Sequence, residues 1–144
     1  MKNPRRSRSA VGMNLARVLL VDDDVASRLT LQTVLQAGGY RVDAAASAAE
    51  AYGKLDEQEY ELVLSDLQME SPEAGLRVIQ HARMMAYKPA TAIVTTYQNA
   101  KTTEGKVKML IKPEDVPNLL SQVANLISLR ATKRIERELL AAHH

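Results

Sequence analysis

The sequence predicts an α/β protein in which helices cover both faces of a parallel β-sheet. Short apolar runs alternate with amphipathic helical segments along the chain, and the run Val18–Val21 is apolar at every position. Four consecutive apolar residues suit a strand buried on both faces, as a central parallel strand is. Repeated alternation of β and α units gives a single sheet with helical crossovers.

Each predicted element has a local signature. The pair Gly38-Gly39 ends the first helix, and Ser47 with Glu50 forms a capping box at the start of the second. In chain order, we predict strands over 18–21, 40–45, 62–64, 92–94 and 107–111 and helices over 26–37, 48–57 and 74–86, with a last helix from about Glu114 to about Ser128.

Composition limits the class of protein. The chain has 144 residues, 46% of them hydrophobic, which is enough for one domain with a core and short for two. It contains no cysteine, so disulfides and thiolate metal sites are excluded. Its apolar runs are far shorter than the roughly 20 residues that span a bilayer, and residues 1–12 lack the apolar segment of a secretory signal. We therefore expect a cytoplasmic protein without a membrane partner.

The net charge of +2 conceals an uneven distribution. Residues 1–16 carry four of the 19 basic side chains and none of the 17 acidic ones, so the rest of the chain has a net charge of −2. Such an arm can contact nucleic acid or an anionic surface, but its Ser, Pro and Arg content is typical of a disordered leader. We expect a leader here, and the absence of a DNA-binding motif argues against a nucleic-acid partner.

Polar residues follow the predicted strands where they end. The first strand is followed by Asp22, Asp23 and Asp24, and three adjacent acids repel one another unless a cation or a proton relieves them. The carboxyl ends of parallel strands form the ligand-binding edge of such sheets, so we expect Mg²⁺ there. The later strands end in Asp66, in Thr95 with Thr96, and in Lys112. Acids, a hydroxyl and an ammonium at one edge favour phosphoryl transfer, with one acid as nucleophile.

Five segments in order resemble the signatures of bacterial response-regulator receiver domains. They are VLLVDDD (18–24), AGGYRV (37–42), YELVLSDLQM (60–69), AIVTTY (92–97) and MLIKP (109–113). The resemblance implies a receiver domain over 17–128 with a flavodoxin-like, doubly wound sheet of five strands in the order 2-1-3-4-5. It also implies a sensor histidine kinase or phosphotransfer protein as partner. Such a domain catalyses only its own phosphorylation and dephosphorylation and is not otherwise an enzyme.

The resemblance also implies roles for the acidic residues. Asp66 is the expected phosphoacceptor. Asp22, Asp23 and Asp66 are the expected Mg²⁺ ligands, together with the backbone carbonyl of Gln68. Asp24 matches a variable position and is expected to cap a helix.

The other pocket residues follow from the same resemblance. Thr95 matches the switch hydroxyl, although the adjacent Thr96 leaves that register open. Lys112 is expected to pair with Asp66 and then with its phosphate, and the Lys112–Pro113 peptide is expected to be cis. Phosphorylation would draw Thr95 and Lys112 inward and signal by a conformational or oligomeric change.

The sequence departs from the family pattern in three places. Only residues 96–106 join strand four to strand five, so the helix between them, the fourth in the family, is expected to be short or absent. Met109 stands where the family has a switch aromatic. The usual Met-Pro after the acceptor has become Met69-Glu70, in a loop one residue longer.

The same residues are compatible with two other functions. A pseudo-receiver would use the fold as a protein-interaction module without phosphate, because the short 96–106 connection can uncouple the site. A haloacid-dehalogenase-like phosphatase would use Asp22 and Asp24 and leave Asp66 without a role.

Residues 129–144 are expected to form a helical extension. It is a linker to an output domain, a dimerisation helix of a stand-alone receiver that forms a homodimer, or a frayed tail. His143-His144 is expected to be a tag remnant.

Overall fold

The computed structural model describes residues 16–67, 69–94, 110–111 and 116–142. The strands in this part of the chain are β1 (Arg17–Val21), β2 (Arg41–Ala45), β3 (Leu62–Asp66), β4 (Ala90–Val94) and β5 (Leu110–Ile111). The helices within the same ranges are α1 (Val25–Ala37), α2 (Ala48–Glu57), α3 (Ala74–Arg83) and α4 (Val116–Ala142).

All strand pairs are parallel, and the strand order is β2-β1-β3-β4-β5. The strands β2, β1, β3 and β4 each have five residues, whereas β5 has two described residues, which pair with Ile93 and Val94. The doubly wound α/β class predicted from the sequence is confirmed. The prediction of a short or absent helix between β4 and β5 concerns residues 96–106, which lie outside the described residues.

The central strand β1 is buried on both faces, as its apolar run predicted. Val18 and Leu20 are 0% exposed and pack with residues of α1 and α4 on one face. Leu19 and Val21 are also 0% exposed and pack with residues of α2 and α3 on the other face. Since alternate residues of a strand point to opposite faces, a four-residue apolar run supplies both layers of the core.

Helix α2 begins with the predicted cap in a slightly altered form. The Oγ of Ser47 accepts a hydrogen bond from the Glu50 backbone N–H at 3.1 Å. The Glu50 carboxylate accepts in return from the N–H of Ala46 at 2.8 Å. In a standard capping box it would accept from the N–H of the cap residue itself, which here is Ser47. The helix start was therefore predictable, because its cap is local in sequence.

Helix α3 ends at Arg83, three residues earlier than predicted. The chain then turns through residues 84–89, and Lys88 has a positive φ of 47°. Pro89 follows Lys88, and a residue before proline is disfavoured in the right-handed helical region. Pro89 thus restricts Lys88. The helix has already ended, because the N–H groups of Met84 and Met85 donate to the carbonyls of His81 and Ala82, three residues back, at 3.1 Å each.

Helix α4 runs for 27 residues, through the point near Ser128 where the sequence predicted its end. The predicted end near Ser128 is wrong, because residues 118–142 contain neither glycine nor proline to stop the helix. The helical extension predicted from residue 129 is confirmed as far as Ala142. Arg130 also ties the helix to the domain by donating to the carbonyls of Tyr87 at 2.7 Å and Lys88 at 3.0 Å. Among the described residues, no helix is both long and apolar enough to cross a bilayer.

Candidate functional site

Three carboxylates meet at the carboxyl edge of the sheet. One carboxylate oxygen from each of Asp22, Asp23 and Asp66 lies within 4.8 Å of the other two. Asp22 and Asp23 follow β1, and Asp66 is the last residue of β3. These two strands pair directly, with Val21 opposite Ser65. The next residue of each strand, Asp22 or Asp66, therefore lies at the same place on the edge of the sheet. The meeting of these acids was expected from the order of elements alone.

Asp22 is the most fixed member of the cluster. Its residue is 5% exposed, its N–H donates to the Ala45 carbonyl at 3.0 Å, and its carbonyl accepts from the Arg28 guanidinium at 2.8 Å. Burial, the largest effect, raises its pKa, and the charges of Asp23 and Asp24 add to the rise. One hydrogen bond opposes this, because Oδ1 accepts from the Asp24 N–H at 2.9 Å.

Asp66 has the most perturbed acidity of the three. Burial, followed by the charge of Asp22, raises its pKa from 3.8 to about 7. The carboxylate is half-buried next to other acids, so its ionised form is costly without a counter-charge. Hard oxygen donors at this spacing suit Mg²⁺, which binds through one or two carboxylates and keeps several waters. The donor set therefore fits the expected cation.

Asp24 has a separate, structural role. Its carboxylate accepts from the Ser27 N–H at 2.8 Å and caps the N-terminus of α1. That backbone hydrogen bond is the main reason that the pKa of Asp24 is lowered. The expectation that Asp24 caps a helix is confirmed, and a carboxylate committed in this way is a poor partner for a shared cation.

Gly75 allows α3 to approach the acceptor strand, a role that the sequence analysis missed. A Cβ on Gly75 would overlap the backbone carbonyl oxygens of Asp66 and Leu67. Only glycine therefore fits where the first turn of α3 crosses the end of β3. The available signal was a lone glycine in the first turn of an otherwise amphipathic helix, nine residues after the strand-end acid.

The predicted partners of the acidic cluster lie outside the described residues. These are the Gln68 carbonyl, Thr95 with its alternative Thr96, Lys112, and the Lys112–Pro113 peptide. The described strands nevertheless show the register of the three strand ends. Asp66 pairs with Val94, and Val94 pairs with Ile111. The residues that precede Thr95 and Lys112 in the chain are thus aligned with the acceptor position.

Comparison with known proteins decides the family. The chain matches the response regulator receiver domain family over residues 18–124. It belongs to that family. It is 32% identical over 107 residues to the transcriptional regulatory protein ZraR of Escherichia coli, covering 71% of this chain and 24% of that protein. It is also 32% identical over 126 residues to the alginate biosynthesis transcriptional regulatory protein AlgB of Pseudomonas aeruginosa, covering 83% and 28%.

Solved structures agree on the fold. A CheY-like response regulator receiver domain protein from Methanospirillum hungatei matches this receiver domain with a TM-score of 0.70 at 24% identity, covering 83% of this chain and 98% of that one. The flavodoxin-like receiver fold is therefore established. This chain spans about a quarter of the length of the curated relatives.

The loop after the acceptor is tied to a neighbouring helix in this receiver domain. The Glu70 carboxylate accepts from the N–H of Ala48, the first residue of α2, at 3.1 Å. Glu70 follows Met69, at the position where the resemblance led us to expect proline. A carboxylate at a helix N-terminus satisfies a free N–H and interacts favourably with the helix dipole. The departure noted in the sequence thus gives the loop a second attachment that a proline side chain cannot supply.

Proposed function

We propose that this receiver domain accepts a phosphoryl group on Asp66 from a phosphohistidine of a sensor histidine kinase or phosphotransfer protein, in a Mg²⁺-dependent reaction. The observation that carries the proposal is the cluster of Asp22, Asp23 and Asp66, whose carboxylate oxygens lie within 4.8 Å of one another. Repulsion among three carboxylates destabilises the folded state. A bound cation removes that repulsion, and the energy released contributes to its affinity.

The chemistry is a single group transfer. An Asp66 carboxylate oxygen forms a bond to phosphorus while the bond from phosphorus to the donor imidazole nitrogen breaks, and that nitrogen keeps the electron pair. Bound Mg²⁺ would supply charge neutralisation for the acidic cluster and the phosphoryl oxygens. Asp22 and Asp23 hold the cation, and Asp22 is oriented for this by its fixed backbone. We further propose that Thr95 and Lys112 bind the phosphoryl oxygens and that the Gln68 carbonyl completes the metal ligands.

The output is proposed to be a conformational or oligomeric change, not turnover of an external substrate. The domain would catalyse only its own phosphorylation and dephosphorylation, in the cytoplasm. ZraR and AlgB are named as transcriptional regulatory proteins and are about four times as long as the matched region. We propose that the signal likewise passes to a separate output unit or to a second copy, with α4 as the connecting or dimerising element.

The phosphatase alternative is weakened by Asp24. The phosphatase hypothesis requires Asp22 and Asp24 to act together as the catalytic acids. The Asp24 carboxylate, however, accepts from the Ser27 N–H and lies outside the three-carboxylate cluster. The phosphatase hypothesis also leaves Asp66 without a role, whereas the pKa of Asp66 is the most perturbed of the three. The pseudo-receiver hypothesis predicts that the same cluster takes up no phosphate. A phosphorylation experiment therefore distinguishes it from the proposed function.

The test is phosphorylation with acetyl phosphate, with and without Mg²⁺, followed by intact-mass analysis. We expect one phosphoryl adduct that requires Mg²⁺, maps to Asp66 and is absent in Asp66→Asn. Asp24→Asn is the matched control and should still be modified. A well-folded protein that takes neither phosphate nor the beryllofluoride mimic would support the pseudo-receiver, and steady hydrolysis of a phosphoester would support the phosphatase.

A further inference from the structure

A groove of about 390 Å³ lies between the turn that precedes β4 and the C-terminal half of α4. Its apolar floor comes from Pro89, Ala90, Leu126 and Leu129. Five basic side chains line it: Arg83, Lys88, Arg130, Lys133 and Arg137. We call this the basic groove.

The charged side chains that line the basic groove are all positive. Among the described residues that line it, none is acidic. In the part of the chain that the structure describes, the ion pairs within 4.0 Å involve other residues, including the neighbouring Arg134 with Glu138. Five positive side chains around one groove repel one another. A bound anion relieves this repulsion, so the groove favours anionic ligands.

Part of the groove is held rigidly. Arg130 donates to the carbonyls of Tyr87 and Lys88, and the Lys88 ammonium donates to the Arg83 carbonyl at 3.3 Å. Lys88 itself has the positive φ of 47°. Non-glycine residues in this region carry a cost that the surrounding contacts must offset, and they are concentrated at binding sites. The hydrogen bonds of Arg130 and Lys88 therefore hold one side of the groove, while Lys133 and Arg137 are exposed on α4.

The groove is distinct from the acidic cluster. It adjoins Ala90, at the amino end of β4, which pairs with Leu62 at the start of β3. Asp66 is at the opposite end of β3, a strand length of about 13 Å away. A ligand in the groove therefore leaves the phosphoacceptor accessible.

The shape of the groove favours an extended acidic peptide. Leu126, Arg130, Lys133 and Arg137 recur at helical spacing along one side of α4, over about 16 Å. A single phosphate spans much less, whereas a peptide reaches several cations and can insert an apolar side chain beside Leu129, which is 52% exposed. Single-stranded nucleic acid usually stacks its bases on aromatic side chains, and no aromatic residue lines the groove.

From these observations we infer that the basic groove binds an acidic, amphipathic segment of a partner protein, with carboxylates on the cations and an apolar side chain on the floor. Charge complementarity of this kind governs encounter and specificity, and a buried apolar anchor contributes affinity.

The test uses fluorescence anisotropy of a labelled peptide that repeats glutamate and leucine. The double variant Lys133→Gln with Arg137→Gln should weaken binding by about tenfold or more. Both residues are exposed on a helix, and glutamine keeps helix propensity, so the fold is retained. Arg134→Gln is the matched control, because Arg134 is on the same helix turn but does not line the groove; it should change affinity by less than about twofold.

Three results would overturn the inference. One is equal weakening by Arg134→Gln, which would show unspecific attraction to a basic helix. Another is competition by inorganic phosphate or a single-stranded RNA oligonucleotide at lower concentration than the peptide. The last is salt-sensitive dimerisation of the free protein that the double variant abolishes and the peptide does not displace, since the occupant would then be a second copy of the chain.

Discussion

A carboxylate oxygen of Asp66 lies within 4.8 Å of one from Asp22, at the ends of two directly paired parallel strands. Burial and this neighbouring charge together raise the pKa of Asp66 to about 7. Without a cation, the two carboxylates that would bind it repel each other and destabilise the folded state. Three of the predictions below follow from that relationship.

Removing the acceptor charge should stabilise the metal-free protein. In Asp66→Asn the repulsion with Asp22 and the cost of burying a carboxylate disappear at pH 8. We expect the free energy of unfolding by urea, measured in EDTA, to rise by about 1–3 kcal/mol. Asp24→Asn should give a much smaller gain, because the charge of Asp24 has the smallest effect on Asp66 and asparagine caps helices about as well as aspartate. Equal stability of Asp66→Asn and the wild type would contradict the electrostatic account.

The contribution of Asp66 to the stability of the metal-free protein should fall as the pH rises from about 4 to about 7. The folded state holds the Asp66 proton up to a pKa of about 7, whereas the unfolded chain releases it near 3.8. Within this window the folded state binds more protons, so raising the pH favours unfolding. The difference in unfolding free energy between Asp66→Asn and wild type should therefore widen from pH 5 to pH 7 and then level off. A difference independent of pH would exclude Asp66 as the titrating group.

Magnesium should reverse this penalty. A cation that binds the folded state alone stabilises it in proportion to the logarithm of its concentration above Kd. We expect the melting temperature of the wild type to rise with added Mg²⁺ at pH 8, and the rise to be lost in Asp23→Asn. Asp24→Asn should retain it, because Asp24 is outside the carboxylate cluster. Equal Mg²⁺ responses in the two variants would show that the ion binds elsewhere.

The local features of this fold were predictable, and the reasons are specific. The burial of Val18–Val21 follows from four apolar residues in succession, and the cap at Ser47 follows from residues within one turn. The approach of Asp22 to Asp66 follows from parallel topology, which aligns strand ends without requiring any contact to be known.

The features that were missed depend on contacts between distant segments. Gly75 is required only because α3 crosses the carbonyl of Asp66, and the bond from Ala48 to Glu70 joins residues 22 positions apart. The helical extension beyond residue 128 was predicted, but its continuity with the preceding helix was not. Residues 118–142 contain no glycine or proline, so the helix passes the expected domain boundary near Ser128 without a break.

Gly75→Ala should destabilise the protein although alanine is the better helix former. Its Cβ would overlap the carbonyl oxygens of Asp66 and Leu67, and backbone atoms cannot yield as a flexible side chain can. We expect a loss of about 2 kcal/mol or more in unfolding free energy, with slower phosphorylation by acetyl phosphate as α3 is displaced from the acceptor.

Gly53→Ala is the matched control for that substitution. Gly53 lies inside α2, and a Cβ there would meet nothing within 4 Å. Alanine should stabilise the protein by roughly 0.5–1 kcal/mol through helix propensity. Opposite signs for the two glycines are the expected result, and a stabilising Gly75→Ala would show that α3 can move away from β3 without cost.

Glu70→Ala should loosen the start of α2 specifically. The variant leaves the Ala48 N–H without its carboxylate partner and removes a negative charge from the helix N-terminus. We expect a loss of about 0.5–1 kcal/mol in unfolding free energy and faster hydrogen exchange at the Ala48 amide. Glu73→Ala removes only an exposed pair with Arg77 and should leave exchange at Ala48 unchanged. If both variants altered Ala48 equally, the effect would be general charge loss near the site and not the attachment of the acceptor loop to α2.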